Sequence, residues 1–175
     1  MLAQIPNGLS AIRFALAAIW IALAAHGHQG RLAFAIVAIV AAGSDFIDGR
    51  VARRLGVASG SGRWLDGIAD VTFVLSALCC ESVAGAIPFY IPILIAASFS
   101  QYAIDSVLMR SPATGPIRSR LGHWGGIINY ALVITLAIAP PPAFPGAIVR
   151  DLAPPIALFY TAAILERAWL YYRTR

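Results

Sequence analysis

The sequence predicts an all-α integral membrane protein, six transmembrane helices around a polar cavity that faces the cytoplasm. Three observations lead there. Of its 175 residues 59% are hydrophobic and only 12% charged, with a mean hydropathy of +0.77, whereas soluble domains carry about a quarter charged residues. A soluble core of this size cannot absorb so much apolar surface. Six apolar segments approach the roughly 20 residues with which a helix crosses a bilayer. The arginines, finally, gather on one side of those segments.

The first helix is expected at Leu9–Ala25. IPNG ahead of it reads as a turn, Ser10 as a helix cap, and HGHQG closes it. Arg13 followed by FALAAIWIALAA has the charge-then-apolar order of a cleavable leader. The structured character of IPNGLSAIR argues instead for a retained first helix. The second and third helices are expected at Leu32–Arg54 and Arg63–Val83. They exceed membrane length only through the polar stretch between them, so their inner ends protrude. The fourth, Pro88–Met109, ends at the turn-rich SPATGP, and the fifth, Gly122–Ala139, ends at PPPAFPG. Asp151 is the expected cap of the sixth, Leu152–Tyr171, with Pro154 and Pro155 in its first turn. There is no internal repeat, and the chain reads as one domain, residues 1–175.

The chain has thirteen basic residues, all Arg, and a formal net charge of +5. The predicted helices divide them eleven against two, with Arg31 and Arg150 alone on the minor side. By the positive-inside rule both termini and the segment between helices two and three face the cytoplasm. Orientation and phosphate contact account for this charge, and no nucleic-acid partner is expected. Cys79 and Cys80 are adjacent within an apolar run, a poor arrangement for a disulfide framework or a metal site, and read as packing.

Residues 44–70, SDFIDGRVARRLGVASGSGRWLDGIAD, hold four of the eight acidic residues: Asp45, Asp48, Asp66 and Asp70. The first pair is three residues apart and the second four, so each pair shares one helix face. Two such helices side by side bring four carboxylates into one cavity. Uncompensated, these charges are very unfavourable near lipid. Divalent cations are the natural compensation, and oxygen ligands without His or Cys select Mg²⁺, Mn²⁺ or Ca²⁺ over zinc. Four carboxylates suit two ions, a pair able to clamp a diphosphate. Gly49, Ala52, Gly60 and Gly62 leave room for close ligand approach, and Arg53 can fork onto a phosphate.

Asp45, Asp48, Gly49, Ala52, Arg53, Gly62, Asp66 and Asp70 fill every fixed place of D-x-x-D-G-x-x-A-R, eight residues, then G-x-x-x-D-x-x-x-D. This resembles the signature of the CDP-alcohol phosphotransferases (CDP-alcohol phosphatidyltransferases), whose six-helix plan is similar over the whole chain. IPNGLSAIR also resembles the P-N-x-L-[ST]-x-x-R opening of phosphatidylglycerophosphate synthase-like members. The resemblance implies an enzyme of phospholipid biosynthesis that uses CDP-diacylglycerol. The hydroxyl of a polar alcohol, glycerol-3-phosphate or another small alcohol, attacks the phosphorus bearing the lipid, and CMP leaves. It further implies that Asp45, Asp48, Asp66 and Asp70 ligate two Mg²⁺ or Mn²⁺ ions, with Asp70 the general base. Gly49, Ala52, Arg53 and Gly62 then hold the CDP portion, with Asn7 near the nucleotide. An alcohol is a poor nucleophile at neutral pH, so a positioned carboxylate is required. A homodimer in a bacterial inner membrane, among membrane lipids and with a cytoplasmic active site, completes these expectations.

In similar enzymes basic residues near the fourth and fifth helices hold a phosphorylated acceptor. Arg110, Arg118 and Arg120 stand there, either in that role or as orienting charges. Lysines common in the phosphatidylglycerophosphate-type pattern are absent, and RSRLGHWGG replaces the expected start of the fifth helix. Asp105, inside the fourth helix, lines the acceptor pocket or locks an Arg structurally. His123 reads as interfacial, Glu166 and Arg167 as a surface pair, and the four Trp as interface belting and packing. The rival functions are a small divalent-metal transporter and a catalytically inactive family member. A transporter needs acids along the outer half, where only Glu81 and Asp151 occur.

Overall fold

The computed structural model describes residues 4–27, 30–55, 60–109, 120–138 and 146–173. Among the described residues every regular element is an α-helix and none is a strand. The six helices are α1 (Gln4–Ala25), α2 (Arg31–Leu55), α3 (Gly60–Val83), α4 (Tyr90–Met109), α5 (Arg120–Ile138) and α6 (Gly146–Arg173).

Each expected helix is present, and two beginnings differ. Pro6, Asn7 and Gly8, read as a turn, belong to the opening turns of α1. Proline is tolerated there because the first N–H groups of a helix have no intrahelical acceptor to lose. Ser10 is therefore no cap. It lies inside α1, and its side chain is buried against α3. Likewise α6 begins at Gly146, not at Asp151, and runs on through Pro154 and Pro155. Both prolines are exposed, while Ala153 beside them is buried.

Glycines in the left-handed region end two of the helices. Gly27 (φ 87°) follows α1 and Gly85 (φ 76°) follows α3. At α3 the Gly85 N–H donates to Ser82 O and the Ala86 N–H to Glu81 O, at 3.0 and 2.8 Å. That pair of bonds satisfies the last carbonyls and turns the chain towards α4.

α1 packs against α2 and α3, while α2 and α3 touch each other little. α5 lies against α2 and α3, and α4 pairs mainly with α6. The core centres on Trp20, with Phe34 and Phe73 edge-on to it at ring-centroid distances of 4.9 and 5.9 Å. Phe73 in turn stacks on Tyr130 at 6.1 Å. Offset and edge-to-face rings add about 0.5–1.5 kcal/mol per pair to burial alone. This aromatic chain runs α2–α1–α3–α5 and fixes the faces that carry the polar residues below.

The outside is apolar too. Leu32, Val83, Leu158, Leu165, Ile93 and Phe46 are all more than half exposed, Val83 at 77%. Among the described residues, no helix is both long enough and apolar enough to cross a membrane. Trp20 is fully buried, whereas Trp124 and Trp169 are exposed. Cys79 and Cys80 are free thiols; both read as packing from the sequence, but Cys79 is exposed and Cys80 half-buried.

Candidate active site

At one end of the bundle α1, α2, α3 and α5 each contribute a polar side chain to a single point. Ser10 and Arg13, three residues apart, share a face of α1; Asp45 comes from α2; Asp66 and Asp70, four apart, share a face of α3. Tyr130 comes from α5. The aromatic core one turn deeper holds these four helices in register, with Phe73 three residues beyond Asp70 and stacked on Tyr130.

Arg13 is the centre of the cluster and is completely buried. Its Nη1 donates to Asp70 Oδ1 at 2.9 Å and lies 3.3 Å from Asp45 Oδ1. Its Nη2 pairs with Asp66 Oδ1, and Nη1 reaches the Asp66 carbonyl oxygen at 3.4 Å. The Ser10 hydroxyl donates to Asp66 Oδ1 at 3.5 Å. On the far side of Asp70 the Tyr130 hydroxyl donates to Oδ1. Asp70 is thus held from two helices at once, by a cation on α1 and a phenol on α5.

Three of the four predicted carboxylates therefore meet. They meet differently from the expectation of two adjacent helices. α1 lies against both α2 and α3, and its arginine fills the space between their acids. Gly62 lies at the start of α3, half-buried. The side chains of Asn7, Asp48, Gly49, Ala52 and Arg53 lie outside the described residues, as do those of Asp105, Arg110, Arg118, Arg120 and His123. Among the described residues no group of three or more His, Cys, Asp or Glu side chains is close enough to hold a metal ion.

Beside the cluster opens a cavity of about 520 Å³ between α3, α4, α5 and α6. Asp70 and Tyr130 form its inner wall. Gly67, Gly122, Gly125 and Gly126 widen it, and Phe99, Tyr102, Phe159 and Tyr160 give it an aromatic lining. The Tyr160 hydroxyl faces Asn129 Oδ1 and the Gly125 carbonyl, the latter at 3.2 Å. This ties α6 to α5. Gln101 Nε2 donates to Ile164 O at 3.1 Å and ties α4 to α6. Arg167, expected as half of a surface pair, instead stands on the cavity wall with its guanidinium 4.4 Å from the Tyr102 ring centre. A planar cation over an aromatic face explains that placement.

Sequence reasoning missed Arg13, Tyr130 and Arg167 as site residues. Arg13 closes the P-N-x-L-[ST]-x-x-R match, the one local signal that sets it apart among thirteen arginines. The N-Y pair at 129–130, two polar groups inside an apolar run, was the available signal for Tyr130.

No curated protein matches the chain. Residues 3–169 match the CDP-alcohol phosphatidyltransferase family, whose members use CDP-alcohol donors and alcohol acceptors and are generally dependent on divalent metal. The match spans nearly all of the sequence and includes every residue of the cluster and the cavity, so the chain belongs to the CDP-alcohol phosphatidyltransferase family, enzymes that transfer a phosphatidyl group from a CDP-alcohol to an acceptor in phospholipid synthesis.

Proposed function

We propose that this chain is a single-domain integral membrane transferase, residues 1–175, acting on CDP-diacylglycerol at the cytoplasmic face of a bacterial inner membrane as a homodimer. One observation carries the catalytic part. Asp45, Asp66 and Asp70 gather at one point, and Asp70 alone of the three also lines a cavity large enough for a polar alcohol. A donor diphosphate at the acid cluster and an acceptor hydroxyl in the cavity are thereby brought to opposite sides of one carboxylate. The apolar exterior and the eleven-to-two division of arginines support the membrane setting and its orientation.

The acid cluster supplies hard oxygen donors of the kind divalent metal takes; among the described residues these oxygens converge on Arg13, and no group of three acids is arranged for an ion. Asp45, Asp48, Asp66 and Asp70 would hold two Mg²⁺ or Mn²⁺ ions, which when bound neutralise charge on the diphosphate. Gly49, Ala52, Arg53, Gly62 and Asn7 hold the CDP portion. Arg53 forks onto a phosphate, and the small residues admit the nucleotide to the backbone. In the cavity the acceptor displaces water, and its hydroxyl approaches Asp70. The carboxylate takes the hydroxyl proton as the oxygen bonds to the lipid-bearing phosphorus. The bond from that phosphorus to the bridging oxygen breaks, and CMP leaves with the electron pair. Tyr130 and Arg13 keep the Asp70 carboxylate oriented during this step. Arg167 on the cavity wall selects the acceptor, and the sequence candidates Asp105, Arg110, Arg118 and Arg120 would assist it. A phosphorylated alcohol such as glycerol-3-phosphate suits that charge.

The test is CMP release by the purified full-length protein from CDP-diacylglycerol with Mg²⁺ or Mn²⁺, run against glycerol-3-phosphate, inositol phosphate, inositol, serine and phosphatidylglycerol. Release that depends on one acceptor and stops on chelation is the expected result. Metal flux into liposomes with no CMP release under any acceptor would replace this reading with transport.

A further inference from the structure

Where α5 and α6 meet, the cavity wall holds a hydrogen-bonding group that the proposed transfer does not use. Asn129 and Tyr160 both line the cavity. Tyr160 is buried, and its hydroxyl lies between two acceptors, Asn129 Oδ1 at 2.5 Å and the Gly125 carbonyl oxygen at 3.2 Å. Gly125 and Asn129 are four residues apart and share a face of α5, so one phenol reaches both. A phenol has one proton to give, and Oδ1 is the nearer acceptor. That bond fixes which way the amide points. The other end of the amide, Nδ2 with its two donors, has no partner among the described residues. It is also accessible, unlike Gln101 Oε1, which is buried without a partner. A tie between helices would explain the bond from Tyr160. It does not explain the amide, because the tie uses the acceptor alone, and two open donors inside an apolar bundle cost free energy until an oxygen meets them. Asn129 also precedes Tyr130, whose hydroxyl donates to Asp70. The open donors and the proposed base therefore stand on the wall of one cavity.

We propose that Asn129 determines acceptor specificity, its amide donating to an acceptor oxygen other than the one that reacts, with Tyr160 as the positioning residue that holds the amide in place. The acceptor is then a polyol, with one hydroxyl at Asp70 and a second at Asn129. This rests on the reading of the cavity as the acceptor site. At about 520 Å³ the cavity has room for more than one hydroxymethyl group. An alcohol without the second hydroxyl sets apolar carbon against the open donors, which lose water and regain no bond. Rejection of that alcohol comes from the unpaired group in the site, a stronger discriminator than a missing apolar contact. Arg167 lies seven residues beyond Tyr160 on α6, about two turns away, so charge and hydroxyls are read at separate points.

The experiment is CMP release by the purified full-length protein from CDP-diacylglycerol, with kcat and KM measured for paired acceptors. Glycerol-3-phosphate is paired with 3-hydroxypropyl phosphate, inositol and inositol phosphate with their singly deoxygenated forms, and phosphatidylglycerol with phosphatidylpropanediol. Wild type should favour its polyol over at least one deoxy analogue by about tenfold or more in kcat/KM. In Asn129→Ala that preference should shrink to within about threefold, through a higher KM for the polyol and an unchanged KM for the analogue. Tyr160→Phe keeps the ring, loses the bond to Oδ1, and should weaken the preference several-fold. The double variant should be no less selective than Asn129→Ala alone, because Tyr160 acts through Asn129. Tyr160→Phe carries the test if Asn129→Ala does not fold. Equal losses with both members of a pair would make Tyr160 a structural tie and overturn its positioning role. Selectivity in Asn129→Ala equal to that of wild type overturns the proposal, and so does a wild type that uses serine alone. In both cases the transferase reading stands. Absence of CMP release with every acceptor removes that reading itself, and the proposal with it.

Discussion

The acid cluster and the cavity beside it are built on different principles, although they share Asp70. The cluster is closed, with a fully buried arginine tied to three carboxylates from two other helices. The cavity is open, lined by aromatic rings, glycines and a few separated polar groups. Carboxylates at fixed points suit a diphosphate only through the metal ions they would hold. Shape, aromatic faces and one guanidinium suit the proposed alcohol acceptor. The lesson is that one region is held by charge where helices cross, whereas the other is shaped by side chains along helix faces. Asp70 and Tyr130 form the wall between them.

Substitutions on the two sides should therefore fail differently. The largest effect is expected from Asp66→Asn on the cluster side. It removes a proposed metal ligand and a partner of Arg13, and CMP release should fall by roughly 10²–10³-fold. Full activity in that variant would break the comparison at once. Tyr130→Phe tests the wall. It takes one hydrogen bond from a carboxylate, a contact worth about 1.5–3 kcal/mol, so CMP release should fall by about tenfold or more with little change in the protein's fold. Equal losses in kcat and in acceptor KM would move Tyr130 from the wall into the cavity. Arg167→Gln tests the cavity itself. Losing a cation stacked on Tyr102 should raise acceptor KM by several-fold, with KM for CDP-diacylglycerol unchanged. A rise in donor KM instead would erase the division between the two halves.

The sequence makes the cluster legible more readily than the cavity, for a physical reason. Asp45 and Asp66 with Asp70 stand at helical spacings inside apolar surroundings, where a carboxylate without a partner is too costly to persist. All three are where their spacing put them, on two helices and at one point. Their first partner was not legible. Arg13 is separated from Asp66 by 53 residues, and although it closes the P-N-x-L-[ST]-x-x-R match, nothing local places it among the acids of α2 and α3. Cavity residues were harder still. Tyr102, Asn129, Tyr130, Tyr160 and Arg167 come from three helices, and their joint position depends on how α4, α5 and α6 rotate against one another. The hydrophobic pattern of a helix that is apolar all round does not specify that rotation. Helix ends show the same limit. The opening of α1 at Pro6 and the passage of α6 through Pro154 and Pro155 turn on tertiary context, which overrides the local signals of turn and cap.

The central claim is that Asp70 accepts the acceptor's proton at the boundary between a charged donor site and an open acceptor cavity. Asp70→Asn tests it most directly, with turnover and donor binding measured on the same full-length preparation. CMP release should drop by about 10²–10⁴-fold, the range for loss of a general base, while CDP-diacylglycerol binding in the presence of Mn²⁺ stays within a few-fold of wild type. CMP release close to the wild-type rate would contradict the claim, and so would loss of donor binding as complete as the loss of turnover.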